Sequence, residues 1–251
     1  MRYLSLLLCL SIGIGSMSGQ VLLEQDFNEG PLDPTIWNYR EGNGCPQLCG
    51  WGNNEPQLYD KPSVAIADGQ LQITTSIQGA NYHSGRINTK GKFEFQYGTV
   101  EARAKVPRGT GLWPALWMLG NDIDTNTWPG CGEIDILEYV GREPGEIFTT
   151  LHIPASYGSN PEFTKKTKIP NVEDEFHVYK MTWTEESISF FFDDQLLYEY
   201  NPEVKNDATW PFDKPFFLIV NMAIGGNFGG PVIDDSSLPA TFAVDYIKVY
   251  Q

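Results

Sequence analysis

From Val21 onward the chain is written in short runs of Val, Ile, Phe, Tyr and Thr, broken by clusters of Gly, Pro, Asn and Asp. Runs at 70–76, 92–106, 112–119, 133–139, 177–184, 216–223 and 241–250 read as strands, and 187–192 reads as a hairpin with 195–200 across Asp193 and Asp194. No stretch sustains a helical period. The pattern predicts an all-β sandwich. No linker, composition shift or internal repeat divides the 251 residues, so one domain is expected.

One run breaks the apolar pattern. GCGEIDILEYVG sets Glu133, Asp135 and Glu138 among Ile134, Ile136 and Leu137. On a regular strand Glu133 and Asp135 share a face, and Glu138, five positions after Glu133, turns to the other. A β-bulge at Ile136 or Leu137 adds the residue that returns Glu138 to its companions. A solvated edge strand also carries acids, but the apolar neighbours here imply a central, buried strand. Three buried carboxyls are costly unless they do chemistry. Two carboxyls at this spacing stand about 5 to 6 Å apart, too close for an intervening water, which implies glycoside cleavage with retention of configuration. Their mutual repulsion raises the proton affinity of one, giving an acid beside an ionised nucleophile, with Asp135 hydrogen-bonded to Glu133.

The N-terminus carries Arg2, an apolar run at 4–14, and then Ser16, Ser18 and Gly19. This reads as a signal peptide spanning 1–18, with the mature domain at 19–251; the apolar run is shorter than a membrane span requires. The expected location is therefore extracellular or periplasmic, with no membrane attachment after cleavage. Cys45, Cys49 and Cys131 remain in an oxidising compartment, and Cys45 with Cys49 can close a local disulfide in a Gly/Pro loop. The 17 basic and 32 acidic residues give −15; losing Arg2 leaves 16 against 32, or −16. That balance argues against nucleic acid and anionic membranes as partners and favours an uncharged polysaccharide. Aromatic residues make up 13% of the chain, more than a core requires, so some are expected to line a groove. Trp113 and Trp117, four apart with Ala115 between them, share a strand face and can stack on sugar rings.

The segment GEIDILE resembles the signature of glycoside hydrolase family 16, in the six-residue form shared by its laminarinases, agarases and carrageenases. The resemblance continues through WGNNEPQLY (51–59), GRINTKGKFEFQYGTVEARAKVP (85–107), GLWPALWMLG (111–120), TLHIP (150–154), PFDKPFFLIVNMAIGGNFGG (211–230) and VDYIKVYQ (244–251). It implies a concanavalin-like β-jelly roll, two antiparallel sheets with the substrate groove on the concave face. Glu133 then corresponds to the nucleophile, Asp135 to the assisting acid and Glu138 to the acid/base. Trp113 and Trp117 match tryptophans beside the cleavage point, and His152 matches a histidine that meets the sugar. Asn53, Glu55, Arg86 and Asn221 match polar groove positions. Phe228 departs from the pattern, standing where many relatives carry Trp. Many members hold a structural Ca2+ on the convex face, for which Asp245, the Gly69 carbonyl and residues 26–29, Asp26 first, are candidate ligands. No cofactor is expected for catalysis.

These readings converge on a secreted, monomeric, retaining endo-β-1,3-glucanase whose partner is β-1,3-glucan. The rival readings are a family member cutting mixed-linkage glucan or galactan, and a non-catalytic lectin-like module. The last would need no strand of three acids.

Overall fold

A computed structural model describes residues 19–28, 30–159 and 161–251. The signal-peptide reading of 1–18 lies outside the described residues, as does Glu29 of the 26–29 segment. The apolar runs form two sheets. The first orders its strands Thr164–Lys168, Glu146–His152, Glu133–Tyr139, Leu112–Gly120, Phe216–Ile224, Arg86–Asn88 and Asn38–Tyr39, so the acid-bearing strand is central, as its apolar residues require. The second runs Gln195–Tyr200, Ile188–Phe192, His177–Trp183, Gly98–Lys105, Ala240–Tyr250, Gln70–Gln78, Asn81–Ser84 and Leu58–Tyr59; Val21–Gln25 and Val64–Ala67 join its flank. Pairing is antiparallel except between Leu58–Tyr59 and Asn81–Ser84.

Strand alternation makes the core. From the first sheet Ile87, Leu116, Met118, Ile134, Leu151 and Val220 point inward, against Leu71, Val100, Met181, Trp183 and Phe242 of the second. Each such side chain contributes about 1.5–3 kcal/mol on burial. The opposite face of the first sheet is thereby left to Glu133, Asp135, Trp113, Trp117, Asn221 and His152. Among the described residues no helix is long and apolar enough to cross a membrane.

Local chemistry explains where the sequence pattern and the strands part. The 92–106 run yields a strand only over Gly98–Lys105, because Tyr97 and Gly98 take positive φ of 61° and 129° and break the pairing. Residues 92–97 form a loop instead, tied by Phe93 N–H to Thr89 O at 2.9 Å. At the hairpin, Asp193 and Asp194 both adopt positive φ, as a two-residue type I′ turn demands. Thr164–Lys168, reading TKKTK, is an exposed edge strand whose lysines discourage pairing with other chains. Cys45 and Cys49 are disulfide-bonded, and Cys131 is a buried free thiol.

Candidate active site

The bulge falls where parity requires it. Asp135 pairs with Trp117, but Leu137 pairs with Leu116 and Glu138 with Ala115, so Ile136 and Leu137 together oppose a single residue. On the other side Asp135 faces Thr150 and Glu138 faces Phe148. Both extra apolar side chains are buried in the core. Glu138 therefore emerges on the face that Glu133 and Asp135 occupy.

Each acid sits in a different setting. Glu138 Oε1 accepts from Trp113 Nε1 at 3.0 Å, and Oε2 lies 3.5 Å from the Thr150 hydroxyl. Asp135 is 2% exposed, and its Oδ2 has no hydrogen-bond partner. His152 Nε2 stands 3.5 Å from that oxygen and 3.8 Å from Glu133 Oε1. Burial, followed by the charge of Glu138, pushes Glu133 up; hydrogen bonds with Trp128 and Asp135 and the charge of Arg86 pull it back. Asp135 is driven well above the carboxylate range by burial and then by its two acidic neighbours. Glu138 is raised by burial to about 7, against the bonds from Trp113 and Thr150. The three acids, Asp135 and Glu138 buried and Glu133 partly so, thus share protons at neutral pH, with Asp135 the firmest holder and a donor to Glu133. Burial lowers His152 to about 4, which keeps its imidazole neutral.

Beside the acids lies a continuous polar network. Trp117 Nε1 donates to Asn221 Oδ1 at 2.7 Å, Asn221 Nδ2 to the Tyr59 hydroxyl at 3.1 Å, and that hydroxyl to Glu55 Oε2 at 3.1 Å. Gln57 and Asn53 also donate to Glu55, at 2.7 and 3.3 Å. The structure thus joins Asn53, Glu55, Asn221 and Trp117, and places Glu55 and Asn221 below the surface, 6% and 5% exposed, with their polar atoms committed to one another. Arg86 closes the cluster. Its guanidinium lies between two indoles, 4.6 Å from the Trp51 ring centre and 5.0 Å from that of Trp117.

Several of these neighbours carry no distinguishing signal in the sequence. Tyr59 and Gln57 link Glu55 to the groove floor, and Trp51 backs Arg86; all three lie within the 51–59 motif, but no spacing rule says which of its residues turn inward. Trp128 packs tilted against His152 at 5.7 Å and edge-on against Tyr157 at 5.2 Å, and both Trp128 and Tyr157 are exposed. Trp128 lies five residues before Glu133, and only its nearness in sequence could have flagged it. Phe228 packs edge-on against Trp113 and Phe148, at 5.4 and 5.0 Å, beneath Arg142.

The candidate calcium ligands lie on neighbouring elements of the second sheet, away from these acids. Gln25 pairs with Ile247 and Leu71 with Val244, which draws Asp26 and Gly69 toward Asp245, where the register of the last strand slips. A side chain on Gly69 would stand 3.4 Å from Asn28 Oδ1, so the two loops touch. Asp245 Oδ2 accepts from Arg103 at 2.7 Å. The all-oxygen donor set fits Ca2+ in kind.

Paired acids on an open sheet face, walled by indoles and floored by amides, define a carboxylate-based glycoside hydrolase. Comparison with known proteins carries this further: the profile of the glycosyl hydrolases family 16 matches residues 53–248, and the chain belongs to that family. It is 54% identical to the laminarinase of Flavobacterium sp. UMI-01, whose crystal structure superposes with a TM-score of 0.90 over 92% of this chain and 100% of that one. It is 38% identical to the glucan endo-1,3-beta-glucosidase A1 of Niallia circulans over 94% of this chain, which spans 38% of that protein's length. The beta-glucanase of Rhodothermus marinus is likewise 38% identical, over 87% of this chain and 80% of its own. These likenesses cover the jelly-roll sandwich from end to end.

Proposed function

We propose that the chain is an exported, retaining endo-β-1,3-glucanase. The observation that carries this reading is the bulge at Ile136–Leu137, which sets Glu133 and Glu138 on either side of Asp135 on one face of one strand. Glu138 gives its proton to the glycosidic oxygen while a Glu133 oxygen attacks the anomeric carbon, forming a glycosyl ester and releasing the shortened glucan. Glu138, now a carboxylate, takes a proton from water, whose oxygen attacks the same carbon and frees Glu133. Asp135 holds the proton that its hydrogen bond to Glu133 needs, and the Trp113 indole N–H fixes Glu138. Neutral His152 and the indole of Trp117 face the sugar beside the cleaved bond. The leader at 1–18 would take the protein out of the cytoplasm, and Ca2+ held by Asp245, Gly69 and Asp26 would brace the second sheet.

Reducing ends released from laminarin, lichenan and agarose test the reading. Laminarin should be cut fastest, and proton NMR should show the β-anomer first. Preferential cutting of lichenan or agarose, or an α-anomer first, would overturn it. A melting temperature unmoved by calcium chelation would remove the ion.

A further inference from the structure

His83 pairs with one acid, Asp60, at 2.5 Å, and His177 with one, Asp193, at 2.8 Å; each is a closed pair. His152 differs. Its Nε2 faces oxygens of two acids at 3.5 and 3.8 Å without hydrogen-bonding to either, and a ligand atom from each of Glu133, Asp135 and His152 lies within 4.8 Å of the others. Ligand atoms around a tetrahedral Zn2+, bonded at about 2.0–2.2 Å, stand roughly 3.3–3.6 Å apart. The separation of His152 Nε2 from Asp135 falls in that range and its separation from Glu133 lies just above it, so small shifts of these side chains would close them on an ion. A second observation points the same way, since Asp135 Oδ2, on a side chain 2% exposed, is aimed into the gap with no partner of its own.

We propose that Glu133, Asp135 and His152 form a reversible binding site for a borderline transition-metal cation of the Zn2+ or Cu2+ class. Binding displaces the protons that Glu133 and Asp135 hold at neutral pH, and the two carboxylates so formed balance the ion's charge. The imidazole selects it over Ca2+ and Mg2+, which take six or more oxygens. Three protein ligands leave the fourth position to a water on the groove side. The bound ion occupies Glu133, so glucan cleavage and metal binding exclude one another, and environmental zinc or copper switches the enzyme off until the ion is withdrawn. The metal site is claimed independently of the glucanase reading: a chain that binds zinc here yet cuts no glucan would overturn that reading and leave this one standing.

Calorimetric titration of the native chain with ZnCl2, with calcium present to occupy any oxygen-only site, tests the proposal. One ion per chain is expected. His152→Gln should weaken binding by about tenfold or more, and His83→Gln should leave it unchanged. Equal affinity in the native and His152→Gln proteins would overturn the site. Co2+ gives a reading on the native chain that does not depend on any variant folding: intense visible bands of a four- or five-coordinate ion are expected, and only the pale spectrum of octahedral cobalt would refute it.

Discussion

The strand Glu133–Tyr139 ends at two very different carboxyl sites. Beyond its last residue Glu173, 4% exposed, accepts from the Tyr139 hydroxyl at 3.0 Å and from Gly145 N–H at 2.7 Å, with Arg108 at 3.4 Å. Along its outer face Asp135 and Glu138 are about as deep and Glu133 is partly buried, yet among the described residues no lysine or arginine forms an ion pair with them. Provision, more than burial, separates the two sites. A carboxylate kept for architecture is surrounded by donors. The three acids are undersupplied, so they hold protons at neutral pH and exchange them, which is what acid/base chemistry needs.

Exchanging the two kinds of acid for alanine breaks the comparison most sharply. Glu138→Ala should lower kcat on laminarin by about 10²–10⁴, and Glu133→Ala by at least as much. Neither should lower the melting temperature much, because each removes a carboxyl whose ionisation the surrounding burial already disfavours. Hydrolysis near the native rate in Glu133→Ala would remove its role. Glu173→Ala should do the reverse, costing about 3 kcal/mol in urea unfolding as the buried Tyr139 hydroxyl and Gly145 N–H lose their acceptor, with turnover per folded molecule little changed. Unaltered stability there would erase the contrast.

Smaller effects sharpen it. Trp117→Ala should weaken laminari-oligosaccharide binding by about 1–3 kcal/mol, read by calorimetry, with a modest change in melting temperature. Glu55 acts on that indole through Tyr59 and Asn221, so Glu55→Gln, which keeps the shape, should raise KM by about fivefold at constant kcat. A fall in kcat alone would place Glu55 in the chemistry. Last comes pH. Glu138 is raised to about 7, so kcat/KM should decline as pH rises through 7 and the acid loses its proton. The sign for stability is the same: a carboxyl whose folded value exceeds its unfolded one stabilises most below the unfolded value near 4.5, and that stability drains as pH climbs toward 7. In Glu138→Gln this slope should flatten.

Much of this was legible from residue order alone, for a physical reason. The period of two in a strand is strict, so five positions between Glu133 and Glu138 demanded a bulge, and the same rule set Trp113 beside Trp117. What periodicity cannot encode is the course of loops. Nothing in WGNNEPQLY says that Glu55 turns down toward Tyr59 and Gln57 rather than up toward a sugar; that depends on Gly50, Trp51 and Asn54 taking positive φ. The 92–106 run misled for a similar reason, since Tyr97 in a left-handed conformation looks like any strand tyrosine until its φ is seen. Trp128, Tyr157 and His152 meet across a distance in sequence that no local rule spans.

The bulge also sets how the lineage of this strand can drift in length. In most pleated segments a one-codon insertion or deletion is equally ruinous in either direction, because everything beyond it changes sides. Here the extra residue is already present, and Ile136 and Leu137 both bury apolar side chains. Losing one would leave a plain strand with its acids still aligned, whereas gaining another would drive Glu138 into the oil of the core. The segment is therefore a one-way ratchet, free to shorten by a single residue and barred from growing by one.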